Sequence, residues 1–170
     1  MNVAFRVWKP QHNRYDYLHR QNYLGGNGVY DQYIGCNDED AVWQPYISFD
    51  DKNEKFIYVG DIVDVCVFRV SPSNPDDDYH YRGQIIFKDG MYQIKIFAFL
   101  YSNTDTLFIP ITDKKSPFYN DDELLDDGTI EIPLFILCAT SGNLGVYNED
   151  NVEVIGNIYE TPDLLECRTA

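Results

Sequence analysis

The side chains of this 170-residue sequence that could do chemistry are few and scattered. Three histidines occur, His12, His19 and His80, and none sits in an H-E-x-x-H arrangement that would present a zinc site and its general base. No G-x-S-x-G elbow presents a serine nucleophile. His80 follows "PDDD", where an aspartate could orient an imidazole, but a solvated loop histidine is the simpler reading. The thiols Cys36, Cys66, Cys138 and Cys167 contain no C-x-x-C pair, so they lack the close spacing that zinc sites and redox motifs use. Reduced thiols fit better, with Cys66 and Cys138 packed among strand residues. A Cys–His nucleophile would need one of them to meet a histidine in space, which spacing does not show.

Two further stretches invite ligand readings and fail on geometry. "GGNG" (25–28) resembles a phosphate loop, yet no G-K-[ST] follows and no helix opens behind it. "NDDELLDDGTIE" clusters carboxylates as a calcium site would. Setting Gly128 at the sixth position of an EF-hand loop puts Leu125 at the third, where a ligand is required. The expectation is therefore no cofactor, no metal and no enzyme activity.

The elements that would position any site are strands. Hydrophobic residues make up 44% and aromatics 15%, with fourteen Tyr and ten Phe, which favours a folded, β-rich chain over disorder. "VAFRVWKP" alternates Phe5 and Val7 against Arg6 and Trp8 and ends at Pro10. "QNYLGGNGVYDQYIGCNDED" reads as a long loop. In "KFIYVGDIVDVCVFRV", a tight bend at Gly60-Asp61 precedes a strand with Val63, Val65 and Val67 on one face and Asp64, Cys66 and Phe68 on the other. "SPSNPDDD" is a loop. "RGQIIFKDGMYQIKIFAF" is a hairpin about Asp89-Gly90, returning with Tyr92, Ile94, Ile96 and Ala98 on one face and Gln93 and Lys95 opposite. An acidic turn-rich segment with a helical turn around Glu123–Leu125 leads into a strand from about Thr129 to Ala139. Pro133 places that strand at an edge or bulge. "SGNLGVYNEDN" is a loop around a short strand. The closing "VEVIGNIYETPDLLE" is a strand broken at Gly156-Asn157 and resumed through Tyr159, then a short helix with Thr161 as cap, Pro162 at its first position and Asp163 near its positive end. Seven or eight strands and one short C-terminal helix predict an all-β or β-dominated domain, a small SH3-like barrel with extra hairpins.

Four of these stretches carry a resemblance. "FRVWKPQHNRY", "FDDKNEKFIYVGDIVDV", "GQIIFKDGMYQIK" and "VEVIGNIYETPDLL" occur in that order, and together they resemble the YopX-like proteins of phages and prophages. In that family an F-R-[VA]-W opening, a D-x-N-G-x-x-[IV]-Y-x-G-D-I-V segment and an E-V-I-G-N-I-Y-E-N-P-E-L-L ending recur. The match covers about a third of the chain directly and brackets almost all of it, as a single domain spanning 1–170. Glu54 replaces the family's Gly, which predicts a changed or lengthened turn, and "PYISF" replaces Q-[FY]-T-G-L. Residues 99–145 have no counterpart and form a member-specific insertion. The resemblance implies a β-rich, oligomer-prone phage accessory protein of unknown molecular function, and it supplies no catalytic residue.

Charge then bears on partners. The net charge is −15. Residues 1–20 hold Arg6, Lys9, Arg14 and Arg20 against Asp16, whereas 116–170 hold twelve acids against Arg168. This polarity suits self-association or a basic partner, and a solubilising surface is the plainer alternative. A basic, aromatic nucleic-acid surface is offered only by the N-terminal arm, with Arg6, Lys9, Arg14, Tyr15, Tyr17, Arg20 and Tyr23. The expected partners are therefore the chain itself and a host or phage protein, with no direct nucleic acid. An acidic DNA surrogate is the alternative. For 19.8 kDa the surface scaling rule gives about one net charge per ~570 Å². Duplex DNA carries one per roughly 100 Å² of cylinder. Mimicry thus requires Asp121, Asp122, Glu123, Asp126, Asp127, Glu149, Asp150 and Glu153 to converge on one face. A small-ligand enzyme with its site in a barrel mouth is a third reading. No apolar run reaches the roughly 20 residues a spanning helix needs, and no leader opens the chain, so no membrane partner is expected and the host cytoplasm is the expected location.

Overall fold

In the computed structural model, residues 4–19, 40–67, 79–100, 107–119, 122–134 and 151–166 are described. Several expectations lie outside them: the glycine-rich loop, the "SPSNPDDD" loop, the "SGNLGVYNEDN" loop, and Cys36, Cys138 and Cys167. Among the described residues the chain is strand-dominated, as its alternating β-branched and aromatic residues predict. Ten strands occur there: β1 (Ala4–Lys9), β2 (Arg14–His19), β3 (Val42–Asp50), β4 (Phe56–Tyr58), β5 (Asp61–Val67), β6 (Tyr79–Lys88), β7 (Met91–Leu100), β8 (Ile109–Pro110), β9 (Ile130–Pro133) and β10 (Val152–Asn157). They form a small sheet in the order β2-β1-β3-β4 and a larger, curled one in the order β10-β5-β6-β7-β8, with β9 also on β7. No described helix is long and apolar enough to cross a membrane.

The β6–β7 hairpin turns at Asp89 (φ 53°) and Gly90 (φ 81°), the paired left-handed positions of a type I′ turn. Ile94, Ile96 and Ala98 are fully buried, as their alternation predicts. Phe99 is fully buried too, which strict alternation forbids. The reason is a bulge: Ile96 pairs with Gly83 and Ala98 with Arg82, leaving Phe97 as the extra residue. The phase shift turns Phe99 into the core with Ile47, Ile57, Val63, Val65, Ile85, Ile111, Ile130 and Val152. Such a strand can lose its alternation and keep its burial.

Other details differ from the sequence reading. There is no helical turn at Glu123–Leu125. Instead the Leu125 amide donates to the Thr129 carbonyl and the Gly128 amide to the Leu125 carbonyl, closing a tight turn onto β9. Strand β9 ends at Pro133, whose ring nitrogen has no hydrogen to extend the ladder, and Leu134 is no longer strand. Residues 135–139 lie outside the description. His80 is a half-buried residue of β6 rather than a loop residue. Residues after Asn157 form a turn and not a resumed strand, because the Asn157 side chain captures the Tyr159 and Glu160 amides. Thr161 occupies the N-cap position of a 3-10 turn, Pro162–Leu165, but its hydroxyl points back to accept from the Asn157 amide.

Glu54 keeps the left-handed conformation, at φ 61°, that a glycine adopts most easily. Its backbone is held by Asp51, whose carbonyl accepts from the Glu54 amide at 2.9 Å. The conformation costs roughly 1 kcal/mol for a residue with a Cβ, a cost the surrounding hydrogen bonds offset.

Candidate functional site

Four stretches singled out in the sequence, around Arg6 and over residues 51–65, 83–95 and 152–165, meet in one place. Arg6 on β1 is 4% exposed and Asp61 at the head of β5 is 1% exposed, and Arg6 Nη1 lies 2.5 Å from Asp61 Oδ1. Arg6 Nε donates to Gln44 Oε1 at 2.7 Å and Nη2 to the Val59 carbonyl at 3.4 Å. Asp61 Oδ2 accepts from the Tyr58 amide at 2.8 Å. Between them Gly60, at φ 90°, brings the backbone so close to Gln44 that a Cβ would stand 2.0 Å from Nε2. The Gly60 amide donates to the Ile85 carbonyl, and its own carbonyl accepts from Ile158. One glycine thus links the small sheet, the β6 hairpin strand and the C-terminal turn.

A second carboxylate ties the same segments from the other side. Asp51, 3% exposed, accepts from the Asn53 and Lys55 amides through Oδ1 and from the Val154 amide through Oδ2. The C-terminal stretch closes on β2 and β1: Tyr15 donates to Asn157 Oδ1 at 3.2 Å, and Tyr159 stacks on Trp8 at 5.1 Å and 11°. The basic, aromatic N-terminal arm that the sequence offered is a surface only in part, at Arg14 (side chain 64% exposed) and Tyr17 (53% exposed). Arg6 is buried against Asp61, and Lys9, 9% exposed, pairs with Asp16 at 2.7 Å, because each cation has a carboxylate within the fold. Arg20 and Tyr23 lie outside the described residues.

Burial raises the Asp61 carboxyl above its ordinary range, and the Arg6 charge and the Tyr58 amide only partly oppose this. Burial would raise Asp51 as well, but there the Val154, Lys55 and Asn53 amides prevail and hold it below that range. Burial pushes Tyr58 up to about 12 and raises Tyr15 and Tyr17 as well, against the lowering pull of Arg6. All three therefore remain neutral hydroxyl donors.

These contacts set up a strip of aromatic rings along one face of the small sheet. Tyr159, Trp8, Tyr15, Tyr17, Tyr58, Tyr46 and Phe56 follow one another at centroid separations of 5.1, 4.9, 6.2, 6.0, 6.0 and 4.8 Å. Arg6 lies under the strip, 4.4 Å from the Tyr15 ring centre and 4.9 Å from that of Tyr58. Trp8 and Tyr58 are buried, whereas Tyr17 is 53% and Phe56 38% exposed. Asp50 accepts from the Tyr46 hydroxyl at 2.7 Å, and Glu160 from Asn157 Nδ2 at 2.6 Å. The sequence reading passed over this strip. Its signal was there in the i, i+2 spacing of Tyr15 and Tyr17 and of Phe56 and Tyr58, but spacing does not say which strands become neighbours.

The acidic candidates are dispersed by comparison. Asp122, Glu123 and Asp126 are exposed in the turns before β9. Asp127 pairs with Lys95 at 2.5 Å and accepts from the Thr129 hydroxyl, and these bonds lower its carboxyl. Glu153 pairs with Lys52 at 2.5 Å on β10, at the opposite end of the strand order from β9. Asp121, Glu149 and Asp150 lie outside the described residues. Among the described residues no group of three His, Cys, Asp or Glu is placed to hold a metal. Cys66 carries no disulfide and lies opposite His80 in the β5–β6 ladder, a juxtaposition that the scattered spacing concealed. A nucleophilic reading of that pair would further require an orienting group and oxyanion donors.

No family model matches the chain, and no curated protein sequence matches it. Among solved structures it is similar to the crystal structure of protein EF1440 from Enterococcus faecalis. That chain is 15% identical, with 96% of this chain and 98% of that one covered, at a TM-score of 0.40.

Proposed function

We propose that the chain is a non-enzymatic accessory protein of the YopX-like phage and prophage type, acting in the host cytoplasm by binding other proteins, itself included. One observation carries this reading. The polar residues of the recurring stretches, Arg6, Asp51, Asp61 and Asn157, are engaged with one another or with backbone amides inside the joint between the sheets. Groups spent in this way hold the scaffold and are not available to a substrate. What faces outward includes Tyr17 and Phe56 of the aromatic strip and the outer strands β2 and β4 of the small sheet, features of the kind that contact other chains.

Sedimentation equilibrium at low and high salt tests the self-association. A dimer or larger species is expected at tens of micromolar, by edge pairing that salt leaves intact. A strict monomer in both buffers would remove self-association from the reading.

A DNA-surrogate role is the weaker alternative, favoured by the exposed Asp122, Glu123 and Asp126 in one short segment. The lysine pairing of Asp127 and Glu153 weakens the field it would need. Changing Asp122, Asp126 and Asp127 to Asn would have to abolish binding to a DNA-handling target.

A further inference from the structure

Deepening the protein-binding reading, we propose that the outer end of the aromatic strip, Tyr17, Tyr46 and Phe56 over Tyr58, docks an extended partner segment rich in proline and arginine. Three observations select that chemistry. First, the rings form a stepped apolar surface, with Tyr46 4.8 Å from Phe56 and 6.0 Å from Tyr58, and Tyr17 6.0 Å from Tyr58. Flat proline rings in a polyproline II helix fill such steps, and that helix reaches the site with little ordering entropy left to lose.

Second, the polyproline II backbone makes no internal hydrogen bonds, so its carbonyls need donors. The Tyr17 hydroxyl, on a side chain 53% exposed, can supply one, and burial raises its pKa so that it stays a neutral donor.

Third, the charges around the strip suit a cation. Asp50 accepts from the Tyr46 hydroxyl at 2.7 Å, and the Asp50 and Glu160 charges reach Tyr58 and Tyr17 respectively, whereas Asp61 is already met by Arg6. Arg6 is buried and already paired with Asp61, and Lys55, next to Phe56 in the chain, is an exposed cation. The whole chain adds a net charge of −15. An arginine from the partner would meet Asp50 or Glu160 and could lie over an exposed ring as a cation–π contact. The same acidity repels the phosphates of a single strand of nucleic acid, the other ligand that stacks on aromatic strips. A β-strand partner would use the sheet edges and not this face.

The test is an NMR titration with a nonapeptide of three Pro-Pro-Arg repeats, beside matched Pro-Pro-Glu and Gly-Gly-Arg peptides. The expected result is shift changes centred on Tyr17, Tyr46, Phe56 and Tyr58. Binding should fall about tenfold or more with either control peptide, and by a similar factor in Tyr17→Ala or Phe56→Ala. The wild-type shift map does not depend on how well either variant folds. No shifts at millimolar peptide, shifts centred elsewhere, or equal binding of the Gly-Gly-Arg peptide would each overturn the inference. If the peptide fails while the concentration-dependent mass persists, the docking chemistry is wrong and the protein-binding reading stands. If both fail, both fall.

Discussion

Asp61→Ala is expected to destabilise the protein by about 4 kcal/mol, because it strands a buried arginine. Arg6 is 4% exposed, and the carboxylate 2.5 Å away is its counter-charge. The Tyr58 amide loses its acceptor in the same substitution. For a chain of this size each kcal/mol moves the midpoint by roughly 2–4 °C, so a fall of about 12 °C is expected. The pair itself need not be a large net gain. Burial holds the folded pKa of Asp61 above its ordinary value. A group raised in this way contributes stability below its unfolded pKa, about 3.9, and that contribution is lost as pH rises through the folded value. At neutral pH the carboxylate therefore matters chiefly as compensation for Arg6. The double variant Arg6→Met with Asp61→Leu should accordingly recover at least half of the loss, since it removes both charges. Urea unfolding of the two variants measures this. A double variant as unstable as Asp61→Ala would contradict the ion-pair explanation.

Asp51→Ala is expected to cost about 3 kcal/mol, through the loss of three charge-assisted bonds to backbone amides. Two of those amides, Asn53 and Lys55, shape the turn that holds Glu54 at positive φ, and the third, Val154, belongs to β10. One side chain thus fixes a turn and docks a distant strand. Burial pulls this carboxyl up, but the amides pull it down further, so the folded pKa lies below the ordinary value. A depressed carboxylate contributes stability above its unfolded pKa, and loses it as pH falls through the folded pKa. The gap between wild type and Asp51→Ala should be full at pH 7 and narrow below about pH 4. A gap that stayed constant into acid would mean that the ionised carboxylate is not the acceptor. Asp51 and Asp61 therefore have opposite acid signatures, although both are buried aspartates.

Much of the scaffold was legible because its signals are local. Asp89-Gly90 demands a type I′ turn, Val63 and Val65 alternate into the core, and Gly60-Asp61 marks a bend. The bulge at Phe97 was not legible, since an extra residue leaves no compositional trace when both Ala98 and Phe99 suit burial. The fate of Arg6 and Lys9 was misread for a related reason. A lysine or arginine is normally a surface residue, and only the ladder and the β4–β5 bend bring Asp61 beneath Arg6, 55 positions apart along the chain. The aromatic strip depends on the pairing of β1 with both β2 and β3, which no local pattern specifies. The acidic residues were conspicuous in sequence because charge is easily counted, yet lysines distant in the chain, Lys52 and Lys95, meet two of them.

The central claim is that Arg6, Asp51, Asp61 and Asn157 lock the two sheets together and do not line a site. Hydrogen exchange at the Tyr58 and Val154 amides tests it most directly, because each donates to a buried side-chain carboxylate, Asp61 and Asp51 respectively. Exchange as slow as that of the core amides of Ile94 and Ile96, limited by global unfolding, is predicted. Exchange at these two amides as fast as in exposed turns, while Ile94 and Ile96 stay protected, would contradict it.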